Sequence, residues 1–278
     1  MALTILVALL AVGGAVGFVS GLVGIGGGVL IVPFLYFFYG HPAWSGIVVP
    51  AELQAAVAHA TSLFIILPTA VQGTLRYHRD GLVAWPAALP VAVAALVAAV
   101  LGARLALGLP PEALKLAFGL LLLASAARLA LPGPTGEARP LRLGLPYTLG
   151  TGTATGLLSA LLGVGGGVVA IPLLIHLVHL ELRRVAATSL AVICFAALSG
   201  TATYVLSGWR APGLPGGSLG YVHLVAAVPM LVGAMLAVRA GVWTNRRLGE
   251  GRLRLLFGLL MAIVGIRLVL LNVGALAG

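Results

Sequence analysis

Twice in this chain a cluster of glycines interrupts an apolar run that would otherwise be a helix. Residues 17–35 read Gly-Phe-Val-Ser-Gly-Leu-Val-Gly-Ile-Gly-Gly-Gly-Val-Leu-Ile-Val-Pro-Phe-Leu. Residues 156–174 read Gly-Leu-Leu-Ser-Ala-Leu-Leu-Gly-Val-Gly-Gly-Gly-Val-Val-Ala-Ile-Pro-Leu-Leu. At an offset of 139 positions Ser20 matches Ser159, Gly24 matches Gly163, Gly26–Gly28 matches Gly165–Gly167, and Pro33 matches Pro172. Each glycine costs a helix interior about 1 kcal/mol against alanine, so both runs are expected to break here. Backbone groups freed in lipid are costly unless protein or trapped water satisfies them. Paired breaks at matching places in two half-sequences therefore point to a binding site. Close helix packing through small residues is the competing reading, although three consecutive glycines exceed what packing requires.

The setting of these breaks is a membrane. Of 278 residues, 61% are hydrophobic and 8% are charged, and apolar stretches of the roughly 20 residues that span a bilayer recur along the chain. The expected fold is an all-α polytopic membrane protein. It would comprise two inverted-topology repeats with broken or re-entrant helices at the paired Gly-rich motifs. The opening residues lack the basic region of a cleavable signal peptide and read as a retained first helix. A formal charge of +10 would suggest nucleic acid in a soluble protein. Here the basic residues fall between apolar runs, as orientation in a bilayer demands, so nucleic acid is not an expected partner. Cys194 is the single cysteine, which leaves no disulfide framework and no metal cluster. No cofactor is expected.

The duplication extends beyond the glycines. Ala60-Thr61-Ser62-Leu63 matches Ala187-Thr188-Ser189-Leu190 at an offset of 127, as do Gly73-Thr74 with Gly200-Thr201 and Tyr77 with Tyr204. Pro90 pairs with Pro229, and Lys115-Leu-Ala-Phe-Gly119 with Arg254-Leu-Leu-Phe-Gly258, back at 139. Loops account for the difference: the first half carries twelve extra residues before Thr61, and the second carries twelve between Gly208 and Pro229. The expected organisation is a first transmembrane repeat at 1–131, a breaker-rich linker at 132–142 and a second repeat at 143–278.

Charge discriminates between parallel and inverted halves. If each glycine-motif region crosses the membrane once, the sixteen basic residues divide nine to seven, without bias. If each region turns back, they divide twelve to four, the asymmetry that positive-inside sorting produces. The expectation is therefore inverted halves in the cell membrane, a cytoplasmic linker and both termini external.

Each break precedes a short apolar piece whose N-terminus would offer unpaired N–H groups and about half a positive charge. Successive N–H groups in glycine-rich backbone form anion-binding nests. Candidate substrate-binding residues are Gly26, Gly27, Gly28, Thr61, Ser62, Gly165, Gly166, Gly167, Thr188 and Ser189. The hydroxyls either donate to an oxyanion or bond back to a carbonyl one turn earlier; their repetition in both halves favours a ligand. Gly24, Pro33, Gly163 and Pro172 complete the structural motif. His59, whose counterpart is Ala186, breaks the repeat symmetry and either carries a coupling proton or is satisfied by a neighbouring helix. Gln72 lines the pathway or bonds across helices.

The paired Gly-x-Gly-Gly-Gly-x5-Pro segments, each followed by Ala-Thr-Ser-Leu, resemble the sulfite exporter TauE/SafE family of membrane transporters over the full length. The resemblance implies transport of a small sulfur-containing anion such as sulfite, sulfoacetate or another organosulfonate, driven by an ion or a potential rather than by ATP. A passive anion channel using the same backbone sites is the alternative. An intramembrane enzyme finds no support, because no metal-ligand spacing, nucleophile–base arrangement or paired Asp occurs in the spans. The expected partners are the anion and the lipid bilayer, with assembly into a homo-oligomer left open.

Overall fold

The structure, a computed structural model, describes residues 3–130, 141–245, 247 and 250–276; most of the 132–142 linker lies outside the described residues. It is almost entirely helical: α1 (Leu3–Val23), α2 (Gly28–Gly40), α3 (Pro42–Ser45), α4 (Ala51–Arg79), α5 (Trp85–Gly108), α6 (Pro111–Ala130), α7 (Leu145–Leu162), α8 (Gly167–His176), α9 (Leu182–Ser207), α10 (Leu224–Asn245) and α11 (Glu250–Leu276). A two-residue hairpin, β1 (Ser218–Leu219) with β2 (Val222–His223), precedes α10. Among the described residues, α1, α4, α5, α9 and α10 are long and apolar enough to cross a membrane. On α5, Leu89, Val93, Val97, Leu101 and Leu105 recur every four residues and all are exposed, a continuous apolar stripe suited to lipid.

Small residues set the helix pairs. A Cβ placed on Gly13, Gly17 or Gly21 of α1 would lie 2.1, 2.1 or 2.3 Å from the carbonyl oxygens of Met230, Ala234 and Val238. The two numberings rise together, so α1 and α10 run parallel with their backbones in contact. The second half reciprocates: Gly152 meets the carbonyl of Val91 and Gly156 that of Ala95, so α7 lies parallel to α5. Each half thus packs its first helix on a late helix of the other half.

Corresponding helices meet antiparallel. A Cβ on Gly73 of α4 would lie 2.8 Å from Leu190 of α9, and one on Gly200 of α9 would lie 2.9 Å from Leu63 of α4. In the same way Gly119 of α6 meets Leu268 and Val269 of α11, while Gly265 of α11 meets Leu123 of α6.

The short helices turn back. The Tyr39 hydroxyl at the end of α2 shares a 3.2 Å hydrogen bond with His223 Nδ1, just before α10 begins. Because α10 is parallel to α1, the end of α2 lies beside the start of α1. In the second half, the N–H of Arg142, before α7, donates to the Val178 carbonyl, after α8, at 2.9 Å. Helices α1–α2 and α7–α8 are therefore hairpins with no net crossing of the bundle.

These directions fix the ends. With α1 starting at the top, α4 ends at the bottom, where the Tyr77 hydroxyl donates to the Gly21 carbonyl at 2.8 Å. Helix α5 rises, α6 descends and α11 rises, so Leu3 and Leu276 share the upper end. Arg76, Arg79, Arg142, Arg183, Arg184, Arg239 and Arg247 belong to lower helix ends, whereas Arg104, Lys115, Arg210 and Arg267 belong to the upper end. Both twelve-residue excesses of the sequence lie at the top. One is α3 with the following loop and the other contains the β-hairpin; Gly46, Ile47, Val48, Pro215, Gly216 and His223 line a pocket of about 200 Å³ between them. Burial lowers the pKa of His223 to about 4, so its ring is neutral at physiological pH.

Candidate functional site

The two glycine breaks touch at the middle of the bundle. A Cβ on Gly28 would lie 2.5 Å from the Cα and carbonyl oxygen of Val164, and one on Gly167 would lie 2.4 Å from those of Ile25. Gly26 and Gly165 face the same two side chains, Ile66 of α4 and Ile193 of α9. Every residue from Gly24 to Val29 and from Gly163 to Val168 is buried.

Left-handed backbone makes the turn. Gly27 (φ 76°) and Gly166 (φ 90°) cap α2 and α8, and neither cap has a side-chain acceptor. A side chain there would be strained at either position. Both halves close the break with the N–H groups of the residues three and four beyond the cap, which donate to the Gly27 and Gly166 carbonyls. The N–H groups of Gly26–Val29 and of Gly165–Val168 make no hydrogen bond within the described protein. Two helix N-termini, each carrying about half a positive charge, thus meet in the buried interior. Pro33 and Pro172 sit inside the short helices, where each removes one donor from the ladder.

The Thr-Ser pairs bridge the halves. Ser62 Oγ donates to the Gly163 carbonyl at 2.7 Å, and Ser189 Oγ donates to the Gly24 carbonyl at 3.0 Å. Each serine thereby tethers the other half's break. Thr61 Oγ1 accepts from the N–H of His223 at 3.0 Å, and Thr188 Oγ1 accepts from the N–H of Ala84 at 3.1 Å. Those contacts satisfy donors at the starts of α10 and α5, which would otherwise be orphaned. None of the four hydroxyls bonds back to its own helix, in contrast to Thr69, Thr148 and Thr203.

His59 is fully buried, with Nε2 at 2.5 Å from the Tyr36 hydroxyl. Its Nδ1 has no hydrogen-bond partner within the described protein. Its backbone lies against Gly163, as Ala186 lies against Gly24. Gln72 sits further down α4, half-buried, its side-chain oxygen without a partner. The centre thus gathers both glycine breaks, Ser62, Ser189 and His59; Thr61 and Thr188 hold helix starts instead.

Four further hydroxyls lie close by. Ser20 beside Gly27, and Thr155 and Ser159 beside Gly166 with Thr151 one turn before them on α7, are completely buried and have no hydrogen-bond partner within the described protein. Ser20 and Ser159 were visible as matched positions of the repeat. The four-residue spacing of Thr151, Thr155 and Ser159 was the available signal for a shared helix face.

A helical bundle with lipid-suited stripes, wrapped round two buried helix breaks, is a multi-pass membrane protein built to a transporter's pattern. Comparison with known proteins agrees: the model of the family described as sulfite exporter TauE/SafE matches residues 9–268, and the chain belongs to that family, one of membrane transporters and not an enzyme class. A probable membrane transporter protein of Methanocaldococcus jannaschii is 27% identical, covering 96% of this chain and 97% of its own length. A probable membrane transporter protein of Haemophilus influenzae is 26% identical, covering 96% and 99%. The probable membrane transporter protein YunE of Bacillus subtilis is 24% identical, covering 97% and 98%. No solved structure matches the chain.

Proposed function

We propose that the central junction holds a small sulfur-containing anion, such as sulfite, sulfoacetate or another organosulfonate, and that the protein carries it across the cell membrane by alternating access. The carrying observation is the meeting of two buried helix N-termini with eight unpaired N–H groups, those of Gly26–Val29 and Gly165–Val168. Like ends of two dipoles repel in a dry centre, and a negative charge between them turns that cost into attraction. The glycine triplets supply the donors. Ser62, Ser189, Thr61 and Thr188 act on the anion through the breaks and helix starts they hold, and His59 and Gln72 flank its path.

Residues 1–131 and 143–278 form inverted repeats in this reading, with the linker cytoplasmic and both termini external. The antiparallel course of α4 against α9 and the concentration of arginine at the lower end support it. Backbone contact at Gly28–Val164 and Gly167–Ile25 favours a gated site over a passive channel. A thermal-shift screen of the purified chain against sulfite, sulfate, thiosulfate, sulfoacetate, taurine and phosphate tests the ligand class. Stabilisation by sulfite or a sulfonate beyond that by phosphate is expected; equal response to all six would contradict it.

A further inference from the structure

The two breaks share one backbone design but not one environment. Around the first, the α1 residues beside the break are Val16 and Ser20, with Val12 one turn before them, and the α9 residue packed on it is Ala186. Around the second, the counterparts are Thr155 and Ser159 on α7, with Thr151 one turn before them, and His59 on α4. A Cβ on Gly27 would meet Val16 Cγ1 at 2.5 Å, where one on Gly166 would meet Thr155 Cγ2 at 2.8 Å and Ser159 Cβ at 3.1 Å. Three of the four positions are thus apolar at the first break and polar at the second.

Several threonines of this chain satisfy their own hydroxyls. Thr69, Thr148, Thr203 and Thr244 each donate to a carbonyl of their own helix. Thr151 and Thr155 do not, although both are fully buried, and neither Ser159 nor Thr201 of α9 finds a partner within the described protein. A buried hydroxyl left unsatisfied costs free energy, and three in a row on one helix face call for a common acceptor. The first break offers only Ser20.

We infer that the oxyanion head of the substrate seats at the second break, on the N–H groups of Gly165–Val168, with Ser159 and Thr155 donating to its oxygens and Thr151 one turn further along the route of approach. The first break is its apolar mirror and closes over it. This rests on the reading of the junction as an anion site. A sulfite or sulfonate head has three oxygens, which neutral N–H and O–H donors can meet without a cationic side chain.

Calorimetric titration of the detergent-purified chain with sulfite and with sulfoacetate tests the inference. Thr155→Val is the informative variant because valine already occupies the equivalent position, Val16, so the geometry accommodates it. Thr155→Val and Ser159→Ala are each expected to weaken binding roughly tenfold or more, the worth of a hydrogen bond to a charged group. Thr155→Ser should restore affinity, which a purely structural role of the methyl group would not, and Ser20→Ala should bind like the parent chain. Equal losses in Ser20→Ala and Ser159→Ala, or unchanged affinity in Thr155→Val, would overturn the assignment to the second break. If the monodisperse parent chain binds neither anion, the reading of the junction itself fails, and the inference with it.

Discussion

A serine has one proton to donate, and in Ser62 and Ser189 that proton already goes to the carbonyl of the opposite break. Removing it leaves a buried carbonyl unpaired at about 1–3 kcal/mol. Ser62→Ala and Ser189→Ala are accordingly expected to lower the thermal midpoint in detergent by several degrees, at roughly 2–4 °C per kcal/mol. An unchanged midpoint in both would remove the tether from the account. The Thr-Ser-Leu repetition was legible in the sequence, and in the structure both serines bond to the glycine breaks. Their partners were not legible, because a periodicity reports a residue's own helix and these bonds span about a hundred positions or more. His59 was visible as a break in the repeat; its hydrogen bond to Tyr36 depends on the return of α2, which no local pattern encodes.

The hairpins depend on glycine twice over, for the left-handed turn and for the approach of backbones. From sequence, packing and ligand approach are competing explanations of the triplets. In the structure Gly28 and Gly167 lie against backbone while the neighbouring N–H groups stay unpaired, so packing is a real requirement and does not remove the anion reading. The small-residue seam of α1 on α10 gives a clean contrast. Gly17→Val would force its branch into the backbone of Ala234, whereas a Cβ at Gly14 finds nothing nearer than 3.9 Å. Overpacking of this kind costs about 1–3 kcal/mol and occasionally more, here with no flexible side chain to yield. Gly17→Val is expected to lose monodispersity on size exclusion, and Gly14→Ala to keep the parent profile. Normal behaviour of Gly17→Val would refute the backbone contact between α1 and α10. The existence of the breaks and short helices could be read from composition and spacing; which helix each glycine serves could not.

The molecule is two halves that exchange contacts residue for residue. Gly24 meets Ala186 as Gly163 meets His59, and Tyr77 bonds the Gly21 carbonyl as Tyr204 bonds that of Ala160. Charge counting favours halves whose glycine regions turn back, and their inversion stays our proposal; in the structure Leu3 and Leu276 lie at one end of the bundle. The membrane sides follow from our proposal and are open to test. In a Cys194→Ala background, single cysteines near either terminus should react with an impermeant reagent from outside, and one at Arg142 should not. Labelling of the termini from opposite sides would refute the inverted arrangement. The upper cover formed by α3 and the β-hairpin breaks the symmetry, and only the length difference between the halves hinted at it. Transport itself is tested most directly by counterflow. Proteoliposomes preloaded with unlabelled sulfite and diluted into a trace of labelled sulfite should accumulate label transiently above equilibrium, because a site open to one side at a time exchanges one anion for another. Label that merely equilibrates, at a rate that does not saturate with sulfite, would contradict alternating access and point instead to a channel.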